Sequence, residues 1–349
     1  MSAYDQESIN QVGRILVSDD ATPEERANAW HTLNSWRALH LYPLRRFQAV
    51  LRGYARNVAG KHKSIVSQRL KPAPTILATL RRDQAMELGQ MPDIGGVRAV
   101  VPNVKMVGGL AAKYRQSHYV HALVKDNDYI AEPKESGYRG IHLIYQYSSL
   151  MQPECDGLLV EIQLRSRLQH LWAAAVETVE LFHQKSLKSS QGSETWLEFF
   201  RLVSALFAWK EGTAPPAAFQ GIAQEELIHR LRTLNQERKI LSSLKRIRIT
   251  ERAKYTQTLT NAAFWIIETS LNRPAMTRIH PFVAIQKEDA DLVYRQLEQS
   301  PDCRAGKSHV VFVSVNVVRK LEKAYPNFFG DITEFIKELE KILGILALR

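Results

Sequence analysis

The strand pattern of residues 158–165, LLVEIQLR, constrains the fold most, because its residues alternate in polarity. Period-two alternation sends an apolar set to one face of a strand and a polar set to the other. The polar set is Glu161, Gln163 and Arg165. A carboxylate, an amide and a guanidinium would then line one surface of a sheet. An ordinary amphipathic strand with a solvated face gives the same pattern, so the strand alone does not decide between the two.

The flanking residues alternate between helical and strand periods, which predicts an α/β or α+β unit with a sheet at its centre. The elements predicted for residues 64–185 are a helix near 73–88, strands at 97–101, near 119–124, at 141–147 and at 158–165, and a helix over 168–182. The apolar face of the last helix should cover the sheet.

Residues 1–63 predict a helical pair, because Thr22, Pro23 and Glu25 form an N-terminal capping signature. Residues 186–255 predict a helical linker that ends in a long basic helix joining two domains. Residues 256–349 predict a small C-terminal domain with the element order β-β-α-β-α-α.

Composition bounds the partners and the compartment. The formal charge of +11 and the pI of about 9.6 favour polyanionic partners such as nucleic acid or nucleotides. The two cysteines, Cys155 and Cys303, argue against a disulfide framework or a structural zinc site. The N-terminus lacks a signal-peptide pattern and no run of about 18 apolar residues occurs, so we expect a soluble, cytoplasmic protein with no membrane partner.

A second carboxylate stands in MPDIGGVRAVV, residues 91–101. Asp93 precedes a glycine turn that leads directly into an apolar strand carrying Arg98. A carboxylate at the start of a strand could share Mg²⁺ with Glu161, because Mg²⁺ prefers few carboxylates together with phosphate oxygens and water. A turn-forming Asp before two glycines is the simpler alternative.

A cationic helix start lies in QRLKPAPTILATLRR, residues 68–82. Arg69, Lys71, Arg81 and Arg82 bracket it, and Thr75 could cap it. Cations beside free helix N–H groups would form a triphosphate cradle. An exposed basic helix without a ligand is the alternative.

The stretch EPKESGYRGIH, residues 132–142, has unusual chemistry for a loop. It holds Lys134, Tyr138 and His142 around Gly137, whereas loop tips usually carry small polar residues.

Together, the order and spacing of RLKPAPTI, DIGGVR, DYIAEPKESGYRGIH and EIQLRSRLQHLWAAAVE resemble the synthetase domain of the RelA/SpoT family. That domain has a nucleotidyltransferase-like fold, which implies the α+β class with a mixed sheet flanked by helices. It transfers pyrophosphate from ATP to a ribose 3'-hydroxyl. The resemblance covers roughly residues 64–185. It implies a pyrophosphokinase that releases AMP and uses Mg²⁺ as its cofactor.

The resemblance also implies roles for individual residues. Asp93 and Glu161 would be the catalytic pair that binds Mg²⁺, with Glu161 as the candidate base. ATP would be held by Arg69, Lys71, Thr75 and Arg98. The acceptor would be held by Lys134, Tyr138, His142, Gln163, Arg165 and His170, with Tyr138 stacking on its purine. Two positions depart from the family: His170 replaces a frequent Asn, which bears on acceptor identity, and Thr79 replaces a frequent Lys.

Small relatives are of two kinds. One makes the alarmones ppGpp and pppGpp from GDP or GTP. The other is toxic and pyrophosphorylates the 3' CCA end of tRNA, which blocks translation. The basic excess favours tRNA. It includes the arginine-rich second helix of the N-terminal pair, predicted at about 43–58, and the run KRIRITERAK. A solvated basic helix explains either segment equally well, so GDP or GTP remains the alternative acceptor.

The C-terminal stretch SVNVVRKLEKAYPNFF resembles the antitoxin domain of CapRel proteins, which are fused toxin–antitoxins of anti-phage defence. In that group an aromatic pair at YxxY spacing blocks the ATP site until a phage protein, such as a capsid protein, binds. The matching autoinhibitory residues would be Tyr325 and Phe328, so the second tyrosine is replaced. A helix end packed by aromatic residues before Pro326 is the alternative.

Overall fold

A computed structural model describes residues 5–60, 63–117, 120–182, 190–247, 251–252, 262–270, 276–304, 307–315 and 321–345. The helices are α1 (Gln6–Val17), α2 (Pro23–Leu39), α3 (Leu41–Ala59), α4 (Ala73–Arg82), α5 (Val104–Gln116), α6 (Arg167–Phe182), α7 (Ser190–Glu211), α8 (Gln224–Arg238), α9 (Ile240–Lys245), α10 (Lys287–Glu298), α11 (Pro301–Arg304), α12 (Leu321–Ala324) and α13 (Thr333–Leu343). The strands are β1 (Ile65–Leu70), β2 (Gly95–Val101), β3 (Ala122–Asp128), β4 (Ile141–Gln146), β5 (Leu159–Ser166), β6 (Glu251–Arg252), β7 (Phe264–Ser270), β8 (Met276–Phe282) and β9 (Ser308–Val315).

The two predicted N-terminal helices are present as α2 and α3, and helix α1, which was not predicted, precedes them. Thr22 Oγ1 accepts a hydrogen bond from the Glu25 amide, and the Thr22 amide donates to Glu25 Oε2 at 2.8 Å. This confirms the capping box, which fixes the start of α2. The third helix, α3, packs against β1 and β2 and carries Leu44, Phe47 and Leu51 into the core.

The nine described strands form one sheet in the order β3-β4-β5-β2-β1-β9-β7-β8-β6. Strands β2 and β5 are parallel, as are β6 and β8, and the other neighbours are antiparallel. Helices lie against this mixed sheet, so the predicted α+β class is confirmed.

The C-terminal strands belong to the same sheet as the strands around LLVEIQLR. The element order of residues 262–345 is β-β-α-β-α-α, as predicted, apart from the four-residue helix α11. Strand β9 pairs with β1 from Ser67↔Val315 to Arg69↔Val313. One buried cluster contains residues of both regions, including Phe47, Ile162, Phe264 and Phe312.

The alternation predicted for β5 is present. Val160, Ile162 and Leu164 are fully buried in the core shared with α3 and α5. Glu161, Gln163 and Arg165 are buried as well. Their face is covered by other parts of the chain, so the solvated-face alternative is wrong.

Two predictions about the helices are wrong. The apolar face of α6 packs mainly against α7, α8 and α13, because Trp172, Ala175 and Val179 share a cluster with residues of those helices. The long basic helix is interrupted: Lys239 has a φ of 50°, and α9 begins at Ile240. Residues 248–250 and 253–261, which include part of KRIRITERAK, lie outside the described residues.

Within the described ranges, no helix combines the length and apolarity needed to cross a bilayer.

Candidate active site

The candidate site lies on the face of β1, β2, β4 and β5 opposite α3. Strand register places Ser67, Arg98, Gln163 and His142 in one row across the four strands. The neighbouring row contains Arg69, Gly96 and Glu161. Helix α6 and the segment 321–330 lie over this face. The sheet therefore brings together residues that are far apart in sequence.

Glu161 is the central carboxylate of this face. His142 Nδ1 lies 2.7 Å from its Oε1, and Gln163 Nε2 donates to its Oε2 at 2.6 Å. Burial raises the pKa of Glu161, but the hydrogen bonds from His142 and Gln163 and the charge of Arg69 outweigh burial and lower it to about 2. The carboxylate is therefore ionised at neutral pH, with a partner on each oxygen.

Three guanidinium groups surround Glu161, from Arg69, Arg98 and Arg165. No described carboxylate forms an ion pair with any of them. Arg98 Nε donates to Gln163 Oε1 at 3.1 Å, and Arg165 Nη1 is buried with no hydrogen-bond partner among the described residues. Burial and the neighbouring charges of Arg165 and Arg69 lower the pKa of Arg98 to about 10. Arg165 is buried, whereas Arg69 and Arg98 are half-buried. Cations with so few partners are suited to binding an anion.

Asp93 is paired with Lys71, because Lys71 Nζ lies 2.8 and 2.7 Å from its two carboxylate oxygens. Asp93 and Glu161 supply hard oxygen donors of the kind Mg²⁺ takes when phosphate and water complete its shell. No larger group of His, Cys, Asp or Glu suited to a metal occurs among the described residues. The donor set therefore fits Mg²⁺ that arrives with a phosphate, once it replaces the present partners of each carboxylate.

The start of α4 differs from the prediction. Its first amide, Ala73 N, donates to Glu298 Oε1 of α10 at 2.8 Å, so this helix N–H group is not free. Thr75 is exposed and does not cap the helix. Arg81 and Arg82 lie in the last turn of α4. The predicted cradle is therefore reduced to Arg69 and Lys71, because a carboxylate from the C-terminal region occupies the helix end.

The segment between β3 and β4, residues 129–140, is called here the acceptor loop. Lys134 Nζ lies 4.4 Å from the ring centre of Tyr129 and 5.7 Å from that of Tyr138. Tyr138 Oη lies 2.5 Å from His142 Nε2 and accepts from Arg165 Nε at 3.1 Å. The structure thus brings Tyr138, His142 and Arg165 together beside Glu161.

His170 lies on α6 at the edge of this group. Its Nε2 is 2.8 Å from the carbonyl oxygen of Lys323, and its Nδ1 is buried without a described partner. Burial and the charges of Arg98 and Arg165 lower the pKa of His170 to about 3. His170 therefore contacts the C-terminal segment as a neutral side chain.

Tyr325 reaches the centre of the site. Its Oη donates to the carbonyl oxygen of Gln68 in β1 at 2.7 Å, and the side chain is buried. It shares a cavity with Ser67, Arg69, Gly96, Arg98 and Gln163, and that cavity has a volume of about 10 Å³. Such a space holds about one water molecule and no nucleotide.

Phe328 lies outside this cavity. It packs beside the cluster that contains Trp265 and Val311, and its carbonyl oxygen accepts from Thr269 Oγ1 and Thr277 Oγ1. Tyr325 belongs to the same cluster, but of the two aromatic residues only Tyr325 also lines the cavity.

Sequence reasoning missed three contributions to the site. Tyr129 packs edge-on against Tyr138 and His142. Glu298 closes the start of α4, and Glu211 of α7 pairs with Arg139 of the acceptor loop at 2.8 Å. Both glutamates lie far along the chain from their partners, and no local pattern indicates such contacts.

Residues 68–185 match the family model described as "Region found in RelA / SpoT proteins". The chain is 34% identical to GTP pyrophosphokinase YjbM of Bacillus subtilis (strain 168) over 113 residues, which are 31% of this chain and 52% of that protein. It is 32% identical to GTP pyrophosphokinase YwaC of the same organism over 82 residues, 24% of this chain and 39% of that protein. The chain thus spans about half or less of the curated relatives it matches.

Two solved structures are similar. The small alarmone synthetase 1 from Bacillus subtilis bound to its product pppGpp has a TM-score of 0.41 and 24% identity, covering 52% of this chain and 95% of that one. A GTP pyrophosphokinase family protein from Streptococcus pneumoniae has a TM-score of 0.42 and 21% identity, covering 56% and 96%. The family match, by itself, assigns a RelA/SpoT region to residues 68–185.

Proposed function

We propose that this chain is a pyrophosphokinase that transfers pyrophosphate from ATP to a ribose 3'-hydroxyl and releases AMP. The observation that carries the proposal is the set of three arginines near Glu161, namely Arg69, Arg98 and Arg165, none of which forms an ion pair with a described carboxylate. The match of this segment to a RelA/SpoT region and its similarity to two GTP pyrophosphokinases support the same reaction.

In the proposed reaction, Arg69, Lys71 and Arg98 hold the ATP phosphates and adenine, with exposed Thr75 at the edge. Mg²⁺, held by Asp93 and Glu161, would neutralise charge on the phosphate oxygens. The acceptor oxygen bonds to the β-phosphorus. The bond from that phosphorus to the oxygen bridging to AMP breaks, and AMP leaves with the electron pair.

The acceptor would lie on the other side of Glu161. Tyr138 stacks on its purine, and Lys134, Gln163, Arg165 and His170 surround its ribose and phosphates. The hydroxyl proton passes to Glu161 once the acceptor hydroxyl replaces His142 on Oε1.

We further propose that the acceptor is the 3' end of tRNA. The support for this is helix α3, which carries four arginines and no acidic residue. Three of these arginines, Arg45, Arg46 and Arg56, are exposed. Helix α3 covers the face of the sheet opposite Glu161, so these arginines could bind only the body of a large polyanion. A free nucleotide in the site would not reach them.

GDP or GTP is the second candidate acceptor, favoured by the names of the two curated relatives, both GTP pyrophosphokinases. In that case the product would be the alarmone ppGpp or pppGpp, and the charge of α3 would have no role in the reaction.

Autoinhibition in cis is part of the proposal, with the toxin–antitoxin role in phage defence that it implies. Tyr325 occupies the space between Arg69, Arg98 and Gln163 that ATP would need. Because the segment is tethered, weak docking suffices to keep the site closed. A trigger such as a phage capsid protein would need to favour the open state by only about 5 kcal/mol to switch nearly all molecules.

The test uses full-length protein, because β7 to β9 contribute to the core that contains β5. We would incubate Tyr325→Ala protein with γ-³²P-labelled ATP and tRNA, GDP or GTP. We expect label on tRNA, and none with Glu161→Gln added. Label on guanine nucleotides alone would reject tRNA as the acceptor, and no label on any acceptor would reject the pyrophosphokinase itself.

A further inference from the structure

The acceptor loop is fixed from outside the RelA/SpoT region, by helix α7. Gly137 has a φ of +93°, and a Cβ atom there would lie 3.0 Å from Ser204 Cβ. Ser204 Oγ donates to the carbonyl oxygen of Gly137, and Arg201 Nε donates to that of Glu135 at 2.7 Å. The loop backbone therefore lies directly on α7, next to Tyr138.

Arg139 points inward, away from any ligand. Its side chain is 2% exposed, and its Nη1 donates to Glu211 Oε2 at 2.8 Å and to Thr213 Oγ1 at 3.0 Å. Its Nε donates to Ser204 Oγ at 3.3 Å. The guanidinium next to Tyr138 in sequence thus anchors the loop to the end of α7.

Glu211 also holds the end of the catalytic strand. Its Oε1 accepts from Ser166 Oγ, at the end of β5, and its Oε2 is 3.4 Å from Gln169 Nε2 of α6. Ser166 and Gln169 exchange two further hydrogen bonds at 2.9 and 3.2 Å. One buried carboxylate, with a 7% exposed side chain, therefore joins the acceptor loop, strand β5 and helix α6.

We propose that Glu211 is a positioning residue for the acceptor: through Arg139 and Ser166 it sets the place of Tyr138 relative to Glu161. This rests on the proposed pyrophosphokinase reaction. A side chain that contacts substrate keeps its geometry only when the residues behind it are themselves fixed. Arg69, Lys71 and Asp93 form no hydrogen bond with this network among the described residues, so ATP binding should be spared.

The test compares Glu211→Gln with Lys210→Met, both in Tyr325→Ala protein. Lys210 is the neighbouring residue on α7, but its ammonium pairs with Glu338 of α13 and does not reach the loop. We expect Glu211→Gln to raise the acceptor KM about tenfold while the ATP KM changes less than about twofold. Lys210→Met should leave both KM values near those of the parent. Equal changes in both KM values for Glu211→Gln would reduce Glu211 to a structural residue and overturn the proposal.

A second readout does not depend on the reaction. The amides of Lys134 and Gly137 donate within the loop, to Tyr138 O at 3.1 Å and to Lys134 O at 2.8 Å. We expect hydrogen exchange at these amides to be about tenfold faster in Glu211→Gln than in Lys210→Met. Unchanged exchange would overturn the proposal. If exchange accelerates but no acceptor is labelled, Glu211 fixes the loop and the proposed reaction is what fails.

If Glu211→Gln does not fold, Ser166→Ala removes the hydrogen bond from Ser166 Oγ to Glu211 Oε1, which is one of the two links in the proposal. Loop exchange should then still accelerate, and an unchanged rate in this variant would equally overturn the proposal.

Discussion

At the scale of single residues, the site is a set of charges whose partners are internal. Glu161 is bound by His142 and Gln163, and Asp93 by Lys71. In the proposed reaction, each of these contacts would change when Mg²⁺ and phosphate bind.

His170 should make closure sensitive to pH. Its pKa is about 3 while Lys323 covers it, compared with an ordinary value of 6.5. Burial and the charges of Arg98 and Arg165 cause the decrease, and burial is relieved when the segment leaves. A histidine with a lower pKa in the docked state must lose its proton to dock. Closure is therefore fully favoured above pH 6.5 and weakens as the pH falls below it, by at most about tenfold per unit.

To test this, we would measure the dissociation constant of a non-hydrolysable ATP analogue for wild type and for Tyr325→Ala. The quantity to follow is the wild-type constant divided by the Tyr325→Ala constant. We expect this ratio to fall between about pH 7 and about pH 5.5, and to stay constant with pH in His170→Asn. A ratio that falls equally in His170→Asn would show that another group titrates.

At the scale of elements, a buried ion pair attaches helix α10, which belongs to the C-terminal region, to the segment before α4. Arg37 Nη1 lies 2.8 Å from Glu298 Oε2, and both side chains are at most 3% exposed. Arg37 Nη2 donates to Lys71 O at 2.7 Å, and Tyr294 Oη lies 2.9 Å from Glu298 Oε1. The network therefore fixes the segment that carries Lys71.

Removing one member of this pair should be costly. Arg37→Met leaves the Glu298 charge buried, and we expect a loss of about 3–5 kcal/mol in the free energy of unfolding. The double variant Arg37→Met/Glu298→Gln should recover part of that loss. Urea unfolding measures both, and a loss below about 1 kcal/mol in the single variant would contradict the network's structural role.

The elements that could be predicted from the sequence are those marked by strong local patterns. The capping box at Thr22 and the alternation around Glu161 are present because each depends on neighbouring residues. Strand β3 begins at Ala122, three residues later than predicted, and α4 ends at Arg82, before residue 88. Helix α5 was not predicted. Element ends depend on tertiary contacts that no short pattern records.

The misses in the site have the same cause. Glu298 and Glu211 act on partners 225 and 72 residues away. The prediction of one long linker helix is wrong because the chain turns at Lys239, where the amide of Leu241 donates to Asn235 Oδ1. Local heptad spacing does not reveal such a turn.

At the scale of the molecule, the C-terminal region continues the sheet that carries Glu161. Strand β9 extends β1, and Tyr294 and Phe312 share a core with Phe47 and Ile162. Tyr325 follows on a short segment beyond β9 and reaches back over β1. Opening the site therefore requires that this segment moves, while the sheet can remain paired.

The central claim is that Tyr325 occupies an ATP site. The most direct test is calorimetric titration of full-length protein with a non-hydrolysable ATP analogue and Mg²⁺. We expect Tyr325→Ala to bind at least about tenfold more tightly than wild type. Tyr325→Phe, which removes the hydroxyl that donates to Gln68 O but keeps the ring, should fall between them. Equal affinity of wild type and Tyr325→Ala would contradict the claim.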